Sequence, residues 1–179
     1  KDVKQNDPMV ISLLKTHIIF SKKTLIPIIV WNINKSIDTD NYVAILLIDD
    51  KPVGICISEI LNDKDLEDMF NDRDIPDKKY NLYISRVDIH PNFQGMGLCK
   101  PLVTYMIKQL KNLGHKFIFI NNASQTKKGI PACICYIRSG IESNYKLKYK
   151  NNNTNEFKDM DEKYCLSYNP IPRDYYYNL

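Results

Sequence analysis

Long apolar runs are missing from this chain. A spanning helix needs about 20 consecutive apolar residues. The longest runs here, VAILLI from Val43 and IPIIVW from Ile26, are the size of a strand or a short helix. No charged, apolar and small-residue tripartite leader is read at the N-terminus, so no secretory signal is expected. The chain opens at Lys1 rather than a methionine, which leaves residues upstream open. A strong charge of one sign is also absent. The net charge is +4 and is spread along the sequence, too mild to imply a nucleic-acid partner. An even cysteine count is missing as well: the five are Cys56, Cys99, Cys133, Cys135 and Cys165. Without framework spacing, that count predicts reduced thiols in a cytoplasmic setting. Cys133 and Cys135 form Cys-x-Cys, but on a helix they point about 200° apart. No second pair has zinc spacing, so no metal is expected. His17, His90 and His115 are scattered and read as structural or surface residues.

What is present suits a globular domain. The length of 179 residues supports one domain, residues 1–179, with a core of its own. Residues 8–35 have apolar spacing of a helix, with Val10, Leu13, Leu14, His17 and Ile18 in phase and Pro27 dividing it in two. Residues 42–49 and 53–61 read as strands joined by the turn DDKP, an antiparallel hairpin. The acid-rich stretch 62–79 reads as a loop with one helical turn near Leu66–Phe70. YNLYISRVDIH, 80–90, alternates and reads as a long strand ending at Pro91. A helix follows, with Leu98, Leu102, Val103, Met106, Ile107, Leu110 and Leu113 on one face and Gly114 as terminator. HKFIFIN, 115–121, is a strand, and PACICYIRSG is a second helix from Pro131 to a closing Gly140. Residues 145–150 and 163–169 read as final strands around an Asn-rich loop. RDYYYNL at the C-terminus is apolar enough to pack on the domain or on a partner, which leaves a homodimer open. The order predicts an α/β or α+β fold with a mixed sheet.

Glycine is scarce too, with 6 residues in the chain, yet two stand in NFQGMGLCKPLV, residues 92–103. Glycines at a strand-to-helix turn let the backbone curl and let a ligand approach it. The first N–H groups of the helix have no internal acceptor, so the turn can form a nest of donors for a phosphate or pyrophosphate. Lys100 adds a cation at the same mouth, and Pro101 fits a first helical turn. The stretch is not a P-loop, because Gly-Lys-Ser/Thr is missing. It is not a dinucleotide fingerprint, because the third glycine position holds Lys100. A tight turn without a ligand is the plain alternative.

With its flanks, the stretch resembles motif A of the GNAT superfamily, the acetyl-CoA-dependent N-acetyltransferases. That pattern is Gln/Arg-x-x-Gly-x-Gly/Ala after a strand, standing here as Gln94, Gly95, Met96, Gly97, Leu98 and Cys99 after VDIHP. Downstream, Ala132, Cys133, Ile134, Cys135, Tyr136, Ile137, Arg138, Ser139, Gly140 and Ile141 match the family's A-x-x-F-Y-x-x-x-G-F helix. The element order fits over roughly residues 8–170. The resemblance implies the GNAT fold: a mixed, mostly antiparallel sheet with splayed middle strands, flanked by helices.

The same resemblance implies roles. Backbone N–H groups from Gln94 to Lys100, with Gly95, Met96, Gly97 and Cys99 between, would hold the pyrophosphate of acetyl-CoA as co-substrate. The main chain of Val87 and Ile89 would pair with the pantetheine arm. Tyr136 would protonate the departing thiolate, as a phenol can. Cys99 stands where the family has a small residue and reads as a helix-packing cysteine. The family's asparagine before the tyrosine falls on Gly129, with Asn121 or Asn122 as substitutes. The general base is the gap. The family's base positions fall on Ser85, Tyr83 and Asn81, none a strong base, so a water chain past Ser85 and Tyr83 or a carboxylate such as Glu59 is the expectation. Asp88 lies on the face opposite Val87 and Ile89 and reads as salt-bridged beside Arg86. The implied acceptor is a small primary amine, such as a polyamine, amino sugar or amino acid. A protein lysine or N-terminus, or a non-catalytic acyl-CoA-binding module, is the alternative. No nucleic-acid or membrane partner is expected.

Overall fold

A two-residue turn organises the first half of the sheet. In the computed structural model, which describes residues 16–22, 42–60, 81–121, 132–150, 156–166 and 174–179, Asp49 and Asp50 both have positive φ, 48° and 63°. Two such residues in succession make the hairpin turn whose twist matches that of the flanking strands. The turn joins β2 (Tyr42–Ile48) to β3 (Lys51–Ile60), so the expected hairpin is there, and β3 begins two residues earlier than predicted. β1 (Thr16–Lys22) pairs antiparallel with the other edge of β2. This corrects the helical reading of 8–35 over those seven residues. THIIFSK is rich in β-branched side chains, and the free edge of β2 decides its conformation over local spacing. The remainder of 8–35, and the acid-rich stretch 62–79, lie outside the described residues.

The long strand is β4 (Asn81–Ile89), followed by α1 (Cys99–Asn112) and β5 (Phe117–Asn121), all close to expectation. After α2 (Ala132–Glu142) come β6 (Leu147–Lys150), β7 (Phe157–Asp159), a short α3 (Glu162–Leu166) and β8 (Asp174–Asn178). Among the described residues, eight strands form one sheet in the order β1-β2-β3-β4-β5-β8-β6-β7. Only β4 and β5 run parallel; every other neighbouring pair is antiparallel. The mixed, mostly antiparallel sheet with flanking helices is therefore as expected.

The C-terminal third needs two corrections, and its last strand packs on the domain, one of the two alternatives read from the sequence. The Asn-rich loop contains β7, held against β6 and tied by Lys146 to Asp159 at 2.7 Å. The start of the predicted strand 163–169 is helical instead, because the Asp161 carboxylate accepts the Tyr164 N–H at 2.6 Å and caps α3. The C-terminal tyrosines are β8, inserted between β5 and β6. Tyr177 is fully buried there among Ile118 and Leu147, its register partners.

Both long helices lie on one face of the sheet. Leu102, Val103, Met106, Ile107 and Leu110 of α1 are fully buried, in one cluster with Ala44, Leu46 and Cys56, with Leu82 and Ile84, and with Ile118 and Ile120. Leu113, predicted on that stripe, is instead exposed at the helix end. Gly114 at φ 89° ends α1 as predicted: its N–H bonds to Lys111 O and the His115 N–H to Leu110 O, a Schellman closure. Gly140 does not end α2. Asn144, at φ 64°, does so with the same bond pattern. The role of Gly140 is close approach: a Cβ there would stand 2.5 Å from Tyr145 O and 2.9 Å from Tyr177 Cε1. Gly140→Ala is expected to destabilise the fold by about 1–3 kcal/mol, as overpacking does. Urea unfolding with an unchanged m-value checks it.

The cysteine expectation is overturned for four of five residues. Cys99 is bonded to Cys135 and Cys133 to Cys165. The opposed directions of Cys133 and Cys135 on α2 let each reach a different helix, which is why Cys-x-Cys gives two bridges and no metal pair. Cys56 alone is free; burial pushes its thiol well up, so it stays neutral. The inference from cysteine count to a reducing compartment thus loses its premise. Among the described residues, no helix is long and apolar enough to cross a membrane.

Candidate active site

The site begins where two strands part. β4 and β5 are paired only from Asn81 with Phe117 to Ile84 with Ile120. Beyond Ile84, β4 continues for five residues with no strand on that side among those described. This is the expected splay. The His90 N–H bonds to Val53 O on β3 at 2.8 Å. Successive residues of a strand point their peptide groups to opposite sides, so those of Val87 and Ile89 face the open edge. This is the disposition expected for binding an extended arm.

A bulge sets the faces of β4. Ile57 pairs with Arg86, but Ser58 pairs with Ile84, so Ser85 is an extra residue. Such an insertion re-aims side chains. Leu82 and Ile84 before the bulge, and Val87 and Ile89 after it, all pack toward the helices. Tyr83, Arg86 and Asp88 take the opposite face. Asp88 is ion-paired with Arg86, as expected. Tyr83 is the register partner of Glu59 on one side and Phe119 on the other, and Phe119 pairs with Tyr176. The Phe119 and Tyr176 rings stand 6.0 Å apart. Two of the proposed base residues, Glu59 and Tyr83, are therefore neighbours on one face, in a row with two aromatic rings and one pair below the point of splay.

The loop after β4 turns on two positive-φ glycines and presents backbone donors. Pro91–Phe93 forms a 3-10 turn closed by Phe93 N–H to His90 O at 2.8 Å, and the His90 ring accepts the Asn92 N–H. The Gln94 amide folds back and donates to Ile89 O at 3.0 Å, pinning the loop to the end of β4. Gly95 and Gly97 have φ of 80° and 74°, with nothing within 4 Å of where a Cβ would stand. Among the described residues, no backbone acceptor takes the N–H groups of Gly95, Met96, Gly97, Leu98, Cys99 or Lys100. A nest of unclaimed donors thus opens a 14-residue helix, where the helix dipole also favours an anion. Lys100 is at this mouth, but its ammonium pairs with Glu142 at 3.2 Å, and both side chains are about half exposed, so it anchors α2 as well.

Three links hold α2 against this cradle: the Cys99–Cys135 bridge, the Lys100–Glu142 pair, and the Ser139 hydroxyl, which lies 3.2 Å from Lys100 O and 2.8 Å from Cys135 O. Cys99 is thus more than the packing residue expected. Tyr136 follows Cys135 directly. It is 7% exposed, and its carbonyl accepts the Tyr177 hydroxyl. The Tyr177 phenol is held well above its ordinary range, first by burial and then by Tyr136 and Cys56 nearby. Asn122 and Gly129 lie outside the described residues, as does the side chain of Asn121. Sequence reasoning missed Cys135, Ser139 and Glu142 as partners of the loop; only Cys-x-Cys carried a signal, since two thiols on opposite helix faces need two partners. Among the described residues no cluster of metal-ligating side chains occurs. His115 bonds to the Tyr42 hydroxyl at 3.0 Å, a structural role as read.

Among the described residues the sheet parts at its one parallel pair, and a donor nest heads the following helix, an arrangement that matches the fold of the acetyltransferases. The profile described as Acetyltransferase (GNAT) family matches residues 15–130, more than half of the chain, and the chain belongs to that family. No curated protein matches the sequence. Solved structures resemble it at low identity. A Bacillus subtilis acetyltransferase in complex with CoA is 14% identical, with a TM-score of 0.47, covering 92% of this chain and 99% of that one. AAC(6')-Ib in complex with ribostamycin and coenzyme A is 14% identical, with a TM-score of 0.48, covering 77% and 64%. An IAA acetyltransferase from Bacillus cereus is 10% identical, with a TM-score of 0.44, covering 78% of each.

Proposed function

We propose that this chain moves the acetyl group of acetyl-CoA to a primary amine of a small molecule by direct attack. The observation that carries this is the open edge of β4 beyond Ile84, running straight into the unclaimed N–H groups of Gly95–Lys100. The edge suits the amide-bearing pantetheine arm, whose groups would meet the peptides of Val87 and Ile89. The nest suits the pyrophosphate.

The mechanism proposed assigns each residue a role. The amine nitrogen bonds to the thioester carbonyl carbon, and a backbone N–H of β4 near the Ser85 bulge stabilises the oxyanion. The carbon–sulfur bond then breaks, and the Tyr136 phenol gives its proton to the leaving thiolate. The proton released by the amine passes through water to Glu59 beside Tyr83, with Ser85 along the way. The row Glu59, Tyr83, Phe119 and Tyr176 supports a cationic small amine as acceptor, since a carboxylate and aromatic faces both attract an ammonium group.

Thiol release from acetyl-CoA, followed with a panel of polyamines, amino sugars and amino acids, tests the reading. Amine-dependent release is the expected result. Binding of acetyl-CoA without release on any amine would favour a non-catalytic acyl-CoA-binding module, and release on peptide amines alone would favour a protein acetyltransferase. Glu59→Gln is expected to lower kcat by about 10²-fold, most at lower pH, where more of the amine arrives protonated. An unchanged kcat across the pH profile would remove Glu59 from the proton path.

A further inference from the structure

The two bridges are not equivalent. Cys133 and Cys165 are fully buried, whereas Cys99 and Cys135 are only half-buried. The sealed bridge joins α2 to α3 away from the loop. The accessible one joins the first residue of α1, inside the donor nest, to the residue before Tyr136. We propose that Cys99–Cys135 is a thiol–disulfide exchange site for small thiol and dithiol reductants, and that its opening weakens the hold on acetyl-CoA. The second half of this proposal rests on the functional reading above.

The chemistry is balanced by the reductant. A dithiol's thiolate attacks the Cys135 sulfur, forming a mixed disulfide and breaking the Cys99–Cys135 bond. Cys99 leaves as the thiolate, because the N–H groups at a helix N-terminus stabilise that anion and a better-stabilised thiolate leaves faster. The reductant's second thiol then closes its own disulfide and frees Cys135. Two electrons pass to the protein and two protons are shared out with the solvent. The consequence is local. A thiolate on Cys99 occupies the same cluster of N–H groups as the proposed pyrophosphate, and two anions compete there. The bridge that ties α1 to α2 is lost at the same moment, leaving the Lys100–Glu142 pair and the Ser139 hydroxyl to hold the cradle to the helix of Tyr136. Linkage is reciprocal, so bound acetyl-CoA protects the bridge from reduction by the same factor that reduction weakens binding.

The test uses the oxidised chain and acetyl-CoA, which carries no free thiol. Graded dithiothreitol, a quench with iodoacetamide and peptide mass mapping give the order of opening. Cys99 and Cys135 should be labelled first, and Cys133 and Cys165 only after unfolding. Glutathione alone should leave its adduct on Cys135. Calorimetric titration should show the Kd for acetyl-CoA rising about fivefold or more on reduction, and the Cys99→Ser/Cys135→Ser variant should show no response to dithiothreitol. Simultaneous opening of both bridges, earlier opening of Cys133–Cys165, an adduct on Cys99, or a dithiol response in the double variant would overturn the exchange site. Equal Kd in both redox states would overturn its effect on the cofactor. Should the oxidised chain bind no acetyl-CoA, the functional reading fails, while the order of labelling still decides the exchange site.

Discussion

Tyr136→Phe lowers kcat by about 10²–10⁴-fold, the range for loss of a positioned acid, and leaves the Kd for acetyl-CoA nearly unchanged. The substitution removes one hydroxyl and keeps the ring. Tyr136 is 7% exposed within the main core, so the phenylalanine ring fills the same space. The carbonyl of residue 136 still accepts the Tyr177 hydroxyl, because that contact is made to the backbone. On the proposed mechanism the proton for the leaving thiolate is lost, and the loss falls on the chemical step. Pre-steady-state measurement of thiol release, with calorimetry on the same protein, separates the two effects. A kcat within a few-fold of wild type would place Tyr136 among the packing residues.

Replacing both Gly95 and Gly97 by valine raises the Kd for acetyl-CoA by about 10²-fold. Each glycine holds φ above 70°, where an L-residue is strained by about 1–2 kcal/mol. Nothing stands within 4 Å of either absent Cβ, so the loop is not crowded internally and clash is not the mechanism. Two strained positions together cost roughly 3 kcal/mol, about two decades in affinity, if the nest must hold this conformation to bind. The new side chains also block approach to the backbone. The fold suffers less, because both glycines lie in an exposed loop outside the core. The expected pattern is thus a large change in Kd with a small change in the urea midpoint, and a matched loss in both would mean that the loop serves stability alone.

Much of this arrangement was legible in the sequence. Strand β4, helix α1 and its Gly114 stop follow from alternation, helical spacing and a positive-φ terminator, all local signals. The same is true of the β2–β3 hairpin, where two aspartates replace the more usual glycine turn. What failed was decided at a distance. The strand at 16–22 carries helical spacing but is claimed by the edge of β2. The C-terminal tyrosines enter the sheet between β5 and β6, an order no local pattern encodes. Gly140 looked like a stop because it ends a helical stretch, yet its position answers to the approach of Tyr145 and Tyr177. Within the site, the positive-φ turn at Gly95 and Gly97 was readable from the glycines, while the choice of Gln94–Lys100, Val87 and Ile89 as binding residues came from the family resemblance. The bulge at Ser85 was readable from neither. It reverses the parity of β4 and places Tyr83 beside Glu59 on the face away from α1, where simple alternation would group Tyr83 with Val87. The two bridges were invisible for a related reason: cysteine count speaks to compartment, while pairing depends on how three helices pack.

Acetyl transfer itself is tested most directly by mass spectrometry of an amine panel incubated with the chain and acetyl-CoA. The account predicts that at least one small cationic amine gains one acetyl mass in step with the appearance of free CoA, and that Tyr136→Phe slows both together. Acetyl-CoA bound by the Gly95–Lys100 nest with no amine acetylated, or acetylation that proceeds equally well without the Tyr136 hydroxyl, would contradict it.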